Sequence, residues 1–367
     1  MNLLYVSFIS FLISLPITIS LNYQVNLLSI IINLLFVPLV SFILYPLSLI
    51  VFVFPIFISL FNFFISITEF LSNNISNINF FNLYIPKMNF IIIIIYYLLV
   101  YLILSKSIKW LIIFVIYIFV VKNINIIDNN YYVYFLDVGQ GDMSVIKYKD
   151  ECIVIDTGPS SMYTYKITDN HIKFLHSIGA NNIDLLIISH GDNDHIGNAN
   201  YLIDNFNVKN IMINKGEINE SEKLLPKNKI VNNYKSKMKF YILEHTLFDN
   251  ENSNSIVNYL VAYDRKFIFM GDGSKETELD IVSKYNINAD VIKIGHHGSK
   301  TSSDEFFIKK INPIYSIISV GKNNRYGHPN KEVIDNLEDS KIYRTDQDGS
   351  IMFKIKNDKL QIETCSP

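Results

Sequence analysis

The rhythm of apolar and polar positions divides the chain into two unlike parts. Up to Val121 apolar residues run almost without interruption, in stretches of roughly 17 to 25 residues, the length of a bilayer crossing. Membrane spans are predicted near Asn2 to Ser20, Val25 to Leu47, Ile50 to Phe70, Asn89 to Leu104 and Trp110 to Val121, the last two short. The polar stretch Asn123 to Asn130 ends this pattern. Beyond it, short runs rich in Val, Ile, Tyr and Phe alternate with Gly/Asp turns and predict strands. These are Tyr131–Leu136, Ser144–Tyr148, Cys152–Ile155, Leu185–Ile188, Asn210–Ile213, Lys239–Leu243, Ser255–Ala262, Lys266–Met270, Val291–Ile294, Tyr315–Val320 and a closing Ser350–Ile355. Helices are predicted after His195 and around Lys275–Lys284, Ser303–Ile311 and Lys331–Leu337. Groups of strands with helices between them imply a layered α/β domain whose helices cover sheets.

Charge sharpens the division. Of 32 basic and 34 acidic residues, only Lys87, Lys106, Lys109, Lys122, Glu69 and Asp128 precede Asn130, leaving 28 basic and 32 acidic residues for the polar part. Residues 1–122 are therefore read as an all-α transmembrane segment and residues 130–367 as a mildly acidic soluble domain, in which a broad cationic surface for gripping nucleic acid does not follow from the charge. The first span lacks the basic n-region of a signal peptide, and further spans follow at once. Lys106 and Lys109 favour the cytoplasmic side for the loop between the last two spans. One further crossing puts the soluble domain outside the cytoplasm, with Lys122 counting the other way. The two cysteines, Cys152 and Cys365, define no disulfide framework.

Polar clusters recur at the carboxyl ends of the predicted strands: Asp137 and Asp142 in LDVGQGD, Asp156 in DTG, the segment SHGDNDHIGN at 189–198, Gly271-Asp272, His296-His297, and His328 in RYGHP. One such Asp-Gly is usually only a turn, and one such His usually structural. Six in one domain point to a shared pocket, because strand termini with Gly-rich turns let side chains converge. Imidazole and carboxylate suit borderline to hard divalent metals. His190 and Asp192 stand two apart and Asp194 and His195 are adjacent, so the two pairs can address two neighbouring ions, with Asp272 as a bridging carboxylate. Paired ions about 3.5–4 Å apart activate water and stabilise both oxygens of a phosphoryl displacement.

SHGDNDHIGN resembles the HxHxDH signature of the metallo-β-lactamase fold in its HxDxDH variant. With LDVGQGDMSVIKY, VIDTG, FIFMGD, IKIGHHGSKTSS, ISVGKNNRYGHPNKEVI and YRTDQDGSI it is similar to the C-terminal domain of ComEC-type competence proteins, which import single-stranded DNA across bacterial membranes. SLPITISLNYQVNLLSIIINLLFVPLVSFILYPL resembles the end of that family's channel domain. The resemblance implies an αββα sandwich holding two divalent ions, with Mn²⁺ favoured over Zn²⁺ because Asp192 replaces the common second His. It implies His190, Asp192, Asp194, His195, Asp272 and His296 as metal ligands, with Asp194 also in a catalytic role and His297 supporting them. Asn254 and Ser255 stand where many relatives of the fold supply another His. His328 is expected to protonate the leaving oxygen or bind the scissile phosphate, with a structural turn as the alternative. Lys300, Asn323 and Arg344 are candidate phosphate contacts. Asn198 and Met143 depart from the family's usual Gly and Ser. The implied function is a membrane-anchored, metal-dependent nuclease that degrades the non-imported strand in a bacterial cell membrane. Its implied partners are single-stranded DNA, the lipid bilayer, other competence proteins, a missing channel subunit or segment, and further copies of the chain. Two other readings stand beside it: a DNA-conducting component whose soluble domain only binds, and a hydrolase of the same fold acting on another substrate.

Overall fold

The computed structural model describes residues 3–76, 81–160, 165–357 and 359–365. They form two compact units, residues 1–124 with 176–179, and residues 125–175 with 180–367.

The first unit is built of helices Leu3–Asn22, Ser29–Pro38, Tyr45–Val53, Ile58–Ser76, Phe90–Ser105 and Trp110–Lys122. A π-helical segment, Leu39–Leu44, joins the second and third, so that Ser29–Val53 is one apolar run of 25 residues. This corrects the expected break between Leu47 and Ile50. The helix instead stops at Phe54, whose φ of −126° and ψ of 87° are those of a residue held extended by the proline that follows. Among the described residues three helical runs, Tyr5–Asn22, Ser29–Val53 and Pro55–Ile75, are long and apolar enough to cross a membrane, whereas Phe90–Ser105 and Trp110–Lys122 are shorter. Asn89 starts its helix by accepting the Ile92 N–H at 3.0 Å. Leu12, Leu15 and Ile19 pack with Tyr96, Val100 and Phe114, and the Tyr96 hydroxyl donates to the Leu12 carbonyl at 2.5 Å. A short pair, β1 (Gln24–Asn26) with β2 (Asn82–Tyr84), runs antiparallel.

The second unit is a sandwich of two mixed sheets. One has the order β15-β14-β3-β4-β5-β6-β7, the other β13-β12-β11-β10-β9-β8. The strands are β3 (Tyr131–Phe135), β4 (Ser144–Tyr148), β5 (Glu151–Ile155), β6 (Leu185–Ile187), β7 (Ile211–Met212), β8 (Lys239–Leu243), β9 (Val257–Ala262), β10 (Arg265–Phe269), β11 (Val291–Lys293), β12 (Tyr315–Ile318), β13 (Lys341–Arg344), β14 (Ser350–Lys356) and β15 (Lys359–Cys365). Their inner faces meet through Val133, Phe135, Ile153 and Ile155 from one sheet and Leu260, Phe267, Phe269 and Ile317 from the other. Helices Lys275–Lys284, Glu305–Ile311 and Lys331–Asn336 cover the outer face of the second sheet through Ile281, Phe307, Ile311 and Val333, packed on Ile268, Ile292 and Ile318. Helices Tyr165–Ser177 and Ala199–Asn205 accompany the first sheet. The expected layered arrangement is present.

Parallel pairing decides where function can sit. β5, β6 and β7 run parallel, as do β10, β11, β12 and β13. Each group therefore directs its carboxyl-terminal loops to one edge.

Candidate metal centre

The loop after β6 is held by a residue from β5. Asp156 ends that strand in a left-handed conformation, φ 60°. Its Oδ1 accepts the Ser189 N–H at 2.7 Å, and its Oδ2 accepts the Ser189 hydroxyl at 2.8 Å and lies 2.8 Å from His195 Nδ1. With Nδ1 donating to a carboxylate, the imidazole turns Nε2 and its lone pair inward. Close approach of backbones explains the glycines nearby. A Cβ on Gly197 would collide with the Asn193 carbonyl oxygen and the Ser160 amide, and one on Gly141 with the Asp194 carbonyl.

Around His195 the ligand atoms converge. His195 Nε2 lies 3.1 Å from Asp272 Oδ1, and His190 Nε2 lies 3.5 Å from Asp192 Oδ2 and 3.9 Å from Asp272 Oδ2. His297 Nε2 is 3.2 Å from Asp194 Oδ2 and 3.7 Å from Asp272 Oδ2. His296 Nε2 is 3.8 Å from Asp272 Oδ2, with its side chain 30% exposed and Nδ1 3.0 Å from the Thr301 hydroxyl oxygen. Both histidines occupy left-handed backbone, φ 49° and 53°. That costs about 1–2 kcal/mol each, and such strain persists where the surroundings over-determine it. The turn sends His297 into the cluster and leaves His296 at its rim.

The arrangement fits divalent metal ions. Candidate ligand atoms of His190, His195 and Asp272, and of Asp194, His195 and His297, lie within 4.8 Å of one another. His190 Nε2, His195 Nε2, Asp272 Oδ1 and Asp142 Oδ1 are buried with no hydrogen-bond partner among the described residues. Buried polar atoms are seldom left so, and the three on His190, His195 and Asp272, which share one ligand group, mark the place of a cation. Electrostatics agrees. Burial opposes protonation of His195, yet Asp272 and Asp156 hold its pKa well above the ordinary value. Burial works against the Asp194 carboxylate too, but His297 and His195 bring it down to about 2. Asp272 is buried, and His195 and His297 still hold its carboxyl well below the usual range.

Ser255 and Asn254, which stand where many relatives of the fold supply another His, are both held by hydrogen bonds. The Ser255 hydroxyl oxygen accepts the Asp272 N–H at 3.1 Å and lies 3.5 Å from His190 Nδ1. Asn254 is fixed by a two-way exchange with the Phe248 backbone, both bonds 2.8 Å. Asn198, in place of glycine, has φ −99° and donates to the Thr157 and Pro159 carbonyls at 3.2 and 2.8 Å. Met143 is buried.

The expected substrate contacts lie farther out. The His328 ring centroid is 6.1 Å from that of His296, and the ring stacks on Tyr326 at 5.8 Å. Burial, then His297 and His296, lowers its pKa. Lys300 and Asn323 are exposed. The Arg344 guanidinium is spent on Asp346, with bonds of 3.0 and 2.6 Å. Sequence reasoning placed Asp156 and Asp142 among the clusters that converge on the pocket but gave neither a role of its own.

A family model described as the metallo-beta-lactamase superfamily matches residues 136–322, and one described as competence protein matches residues 1–110. ComE operon protein 3 of Bacillus subtilis is 34% identical, the match covering 60% of this chain and 33% of that protein. Recombination protein 2 of Haemophilus influenzae is 29% identical, covering 62% and 29%. Competence protein ComA of Neisseria gonorrhoeae is 27% identical, covering 59% and 31%. The chain thus spans about a third of the length of the curated relatives it matches.

Proposed function

The chain belongs to the metallo-beta-lactamase superfamily, whose fold supports metal-dependent hydrolysis, and we propose that it is a membrane-anchored phosphodiesterase that cuts DNA during competence-associated uptake, degrading the strand that is not imported. The observation that carries this reading is the convergence of His190, His195, Asp194, Asp272 and His297 from the strand ends of both sheets, with His190 Nε2, His195 Nε2 and Asp272 Oδ1 buried without a hydrogen-bond partner among the described residues, in a chain whose first 110 residues match a competence-protein model. His190, Asp192, His195 and Asp272 would hold one divalent ion, and Asp194, His297 and Asp272 a second, with His296 at the rim. Mn²⁺ suits this carboxylate-rich set better than Zn²⁺. Bound there, the ions supply an activated water and positive charge for the reacting phosphate.

The chain's own residues do the rest. Asp156 keeps the His195 Nδ1 proton and so fixes the ring. His328, its ring centroid 6.1 Å from that of His296, would bind the scissile phosphate or protonate the departing oxygen; because its pKa is lowered, the second role needs the bound phosphate to draw a proton onto the ring first, and general acid work of this kind contributes about 10²–10⁴-fold. Lys300 and Asn323, both exposed, would serve as phosphate contacts, and Arg344 would join them only by leaving Asp346.

The test is cleavage of end-labelled single-stranded DNA by the full chain in detergent with Mn²⁺, alongside Asp194→Ala and His195→Ala. Loss of cleavage in both variants is expected. Absence of metal-dependent cleavage by the unaltered chain would sink the nuclease reading and leave a binding or transport role.

A further inference from the structure

Lys293 ends β11 pointing into the metal centre. Its side chain is 2% exposed, its ammonium donates to Asp142 Oδ2, and it lies 3.3 Å from the Gly271 carbonyl oxygen. Lysine is almost never fully buried unless paired, because an ammonium taken from water needs a compensating charge. Its two partners come from different sheets. Asp142 lies in the β3–β4 loop, and Gly271 precedes Asp272 in the turn after β10. One cation therefore ties together the two loops that frame the site.

Asp142 is itself placed to bind metal. Its Oδ2 is 3.8 Å from His195 Nδ1 and its Oδ1 3.6 Å from His297 Nδ1. Its carboxylate forms a possible ligand group with Asp272 and His297, all three buried. Two buried carboxylates thus flank His297, Asp272 beside Nε2 and Asp142 beside Nδ1, and of the two only Asp142 carries a fixed ammonium. We propose that Lys293 is a built-in counter-cation of the centre: it reserves Asp142, keeps that carboxylate out of coordination, leaves Asp272 to ligate, and weakens the site's hold on divalent ions.

This rests on the metal-centre reading but not on DNA as substrate, and its test reads metal binding, not cleavage. A lysine with a merely structural role, once removed, loosens the ligand loops and weakens metal binding, as loss of a supporting partner does by about 10–100-fold. A counter-cation, once removed, has the opposite effect. A unit charge a few Å from a divalent ion contributes more than a factor of ten even at an effective dielectric constant of about 20.

The full chain in detergent is titrated calorimetrically with Mn²⁺ and, in parallel, Zn²⁺, and metal content is measured after dialysis. Lys293→Met is expected to bind Mn²⁺ about tenfold or more tighter than the unaltered chain, and to gain more in Tm on adding Mn²⁺. Asp142→Asn/Lys293→Met, which removes both charges, is expected to return affinity to within about threefold of the original. Equal or weaker binding by Lys293→Met overturns the proposal, as does a double variant that fails to fold or to restore affinity. If the unaltered chain binds neither ion, the metal-centre reading falls with it. If it binds and Lys293→Met matches it, only the counter-cation falls.

Discussion

Asp156→Asn changes no volume but removes one of the two acceptor oxygens behind His195. In the native site Oδ1 takes the Ser189 N–H at 2.7 Å, while Oδ2 serves the Ser189 hydroxyl and His195 Nδ1, both at 2.8 Å. An amide offers a single acceptor oxygen. If that oxygen stays with the Ser189 backbone, the NH₂ faces His195 Nδ1. The ring must then accept at Nδ1 and protonate Nε2, the atom 3.1 Å from Asp272 Oδ1. The lone pair meant for metal is lost. Removing a supporting carboxylate from a ligand histidine weakens metal binding by about 10–100-fold, or about 1.4–2.7 kcal/mol. The buried hydroxyl left without its charged acceptor adds about 1–3 kcal/mol of lost stability. Calorimetric titration of the full chain with Mn²⁺ measures the first, and the Tm of metal-free protein the second. An Asp156→Asn protein with lowered Tm but unchanged affinity refutes the argument. It would mean that the amide oxygen stays with His195 and that Asp156 serves only to fold the loop.

Four further outcomes are expected. Gly197→Ala, whose Cβ meets the Asn193 carbonyl oxygen, the Ser160 amide and, at 2.8 Å, the Pro159 carbonyl carbon, should cost about 1–3 kcal/mol by overpacking and reduce metal content after dialysis; an unchanged Tm contradicts it. Glu278 is fully buried, accepts the Ser303 and Asp304 N–H groups at 2.7 and 2.8 Å, and is pushed by burial from 4.5 up to about 8. A carboxyl raised on folding stabilises the fold fully below its unfolded pKa and loses that contribution as pH climbs through the folded one. The unaltered chain should therefore lose Tm relative to Glu278→Gln between about pH 4.5 and 8, and parallel Tm profiles would disprove it. Asp192→His replaces a hard ligand by a softer one and should shift metal preference toward Zn²⁺, read from metal content after dialysis against equal Mn²⁺ and Zn²⁺. Chelation should lower Tm, with recovery on adding Mn²⁺, since a ligand at about 100 times its Kd stabilises by about 2.7 kcal/mol; a Tm indifferent to chelator argues against a resident ion.

Much of the architecture was legible because its signals are local. Runs such as FIFM and VIKI are apolar enough to be buried on both faces, and the polar residues that end them follow as turns. β13 and β15 escaped prediction. They are edge strands: KIYR is too short for a pattern to stand out, and KLQIETC carries a strict polar/apolar alternation over Lys359–Glu363 that the sequence reading did not use. The long helix Ser29–Val53 was broken after Leu47, beside Pro46, although the true stop comes at Pro55. Within the site, the histidines and aspartates were visible as a cluster, but the division of labour between His296 and His297 was not. It depends on two successive left-handed residues, and no side-chain pattern encodes that. Lys293 was invisible in the same way, since a lysine at the end of a strand normally points to water.

The distribution of charge links these details to function. Asp142, Asp156 and Asp272 are almost fully buried, Asp194 is 31% exposed at its side chain, and the only lysine among them is committed to Asp142. Arg344 is likewise committed to Asp346, and residues 130–367 as a whole carry more acid than base. A phosphodiester approaching this edge would meet an excess of negative charge, and phosphate contacts depend on cations. On the proposed reading, the positive charge that attracts the substrate and the positive charge that drives the chemistry come from the same place. Protein side chains then serve to hold that charge at the junction of two sheets, and the substrate can dock productively only where hydrolysis can occur.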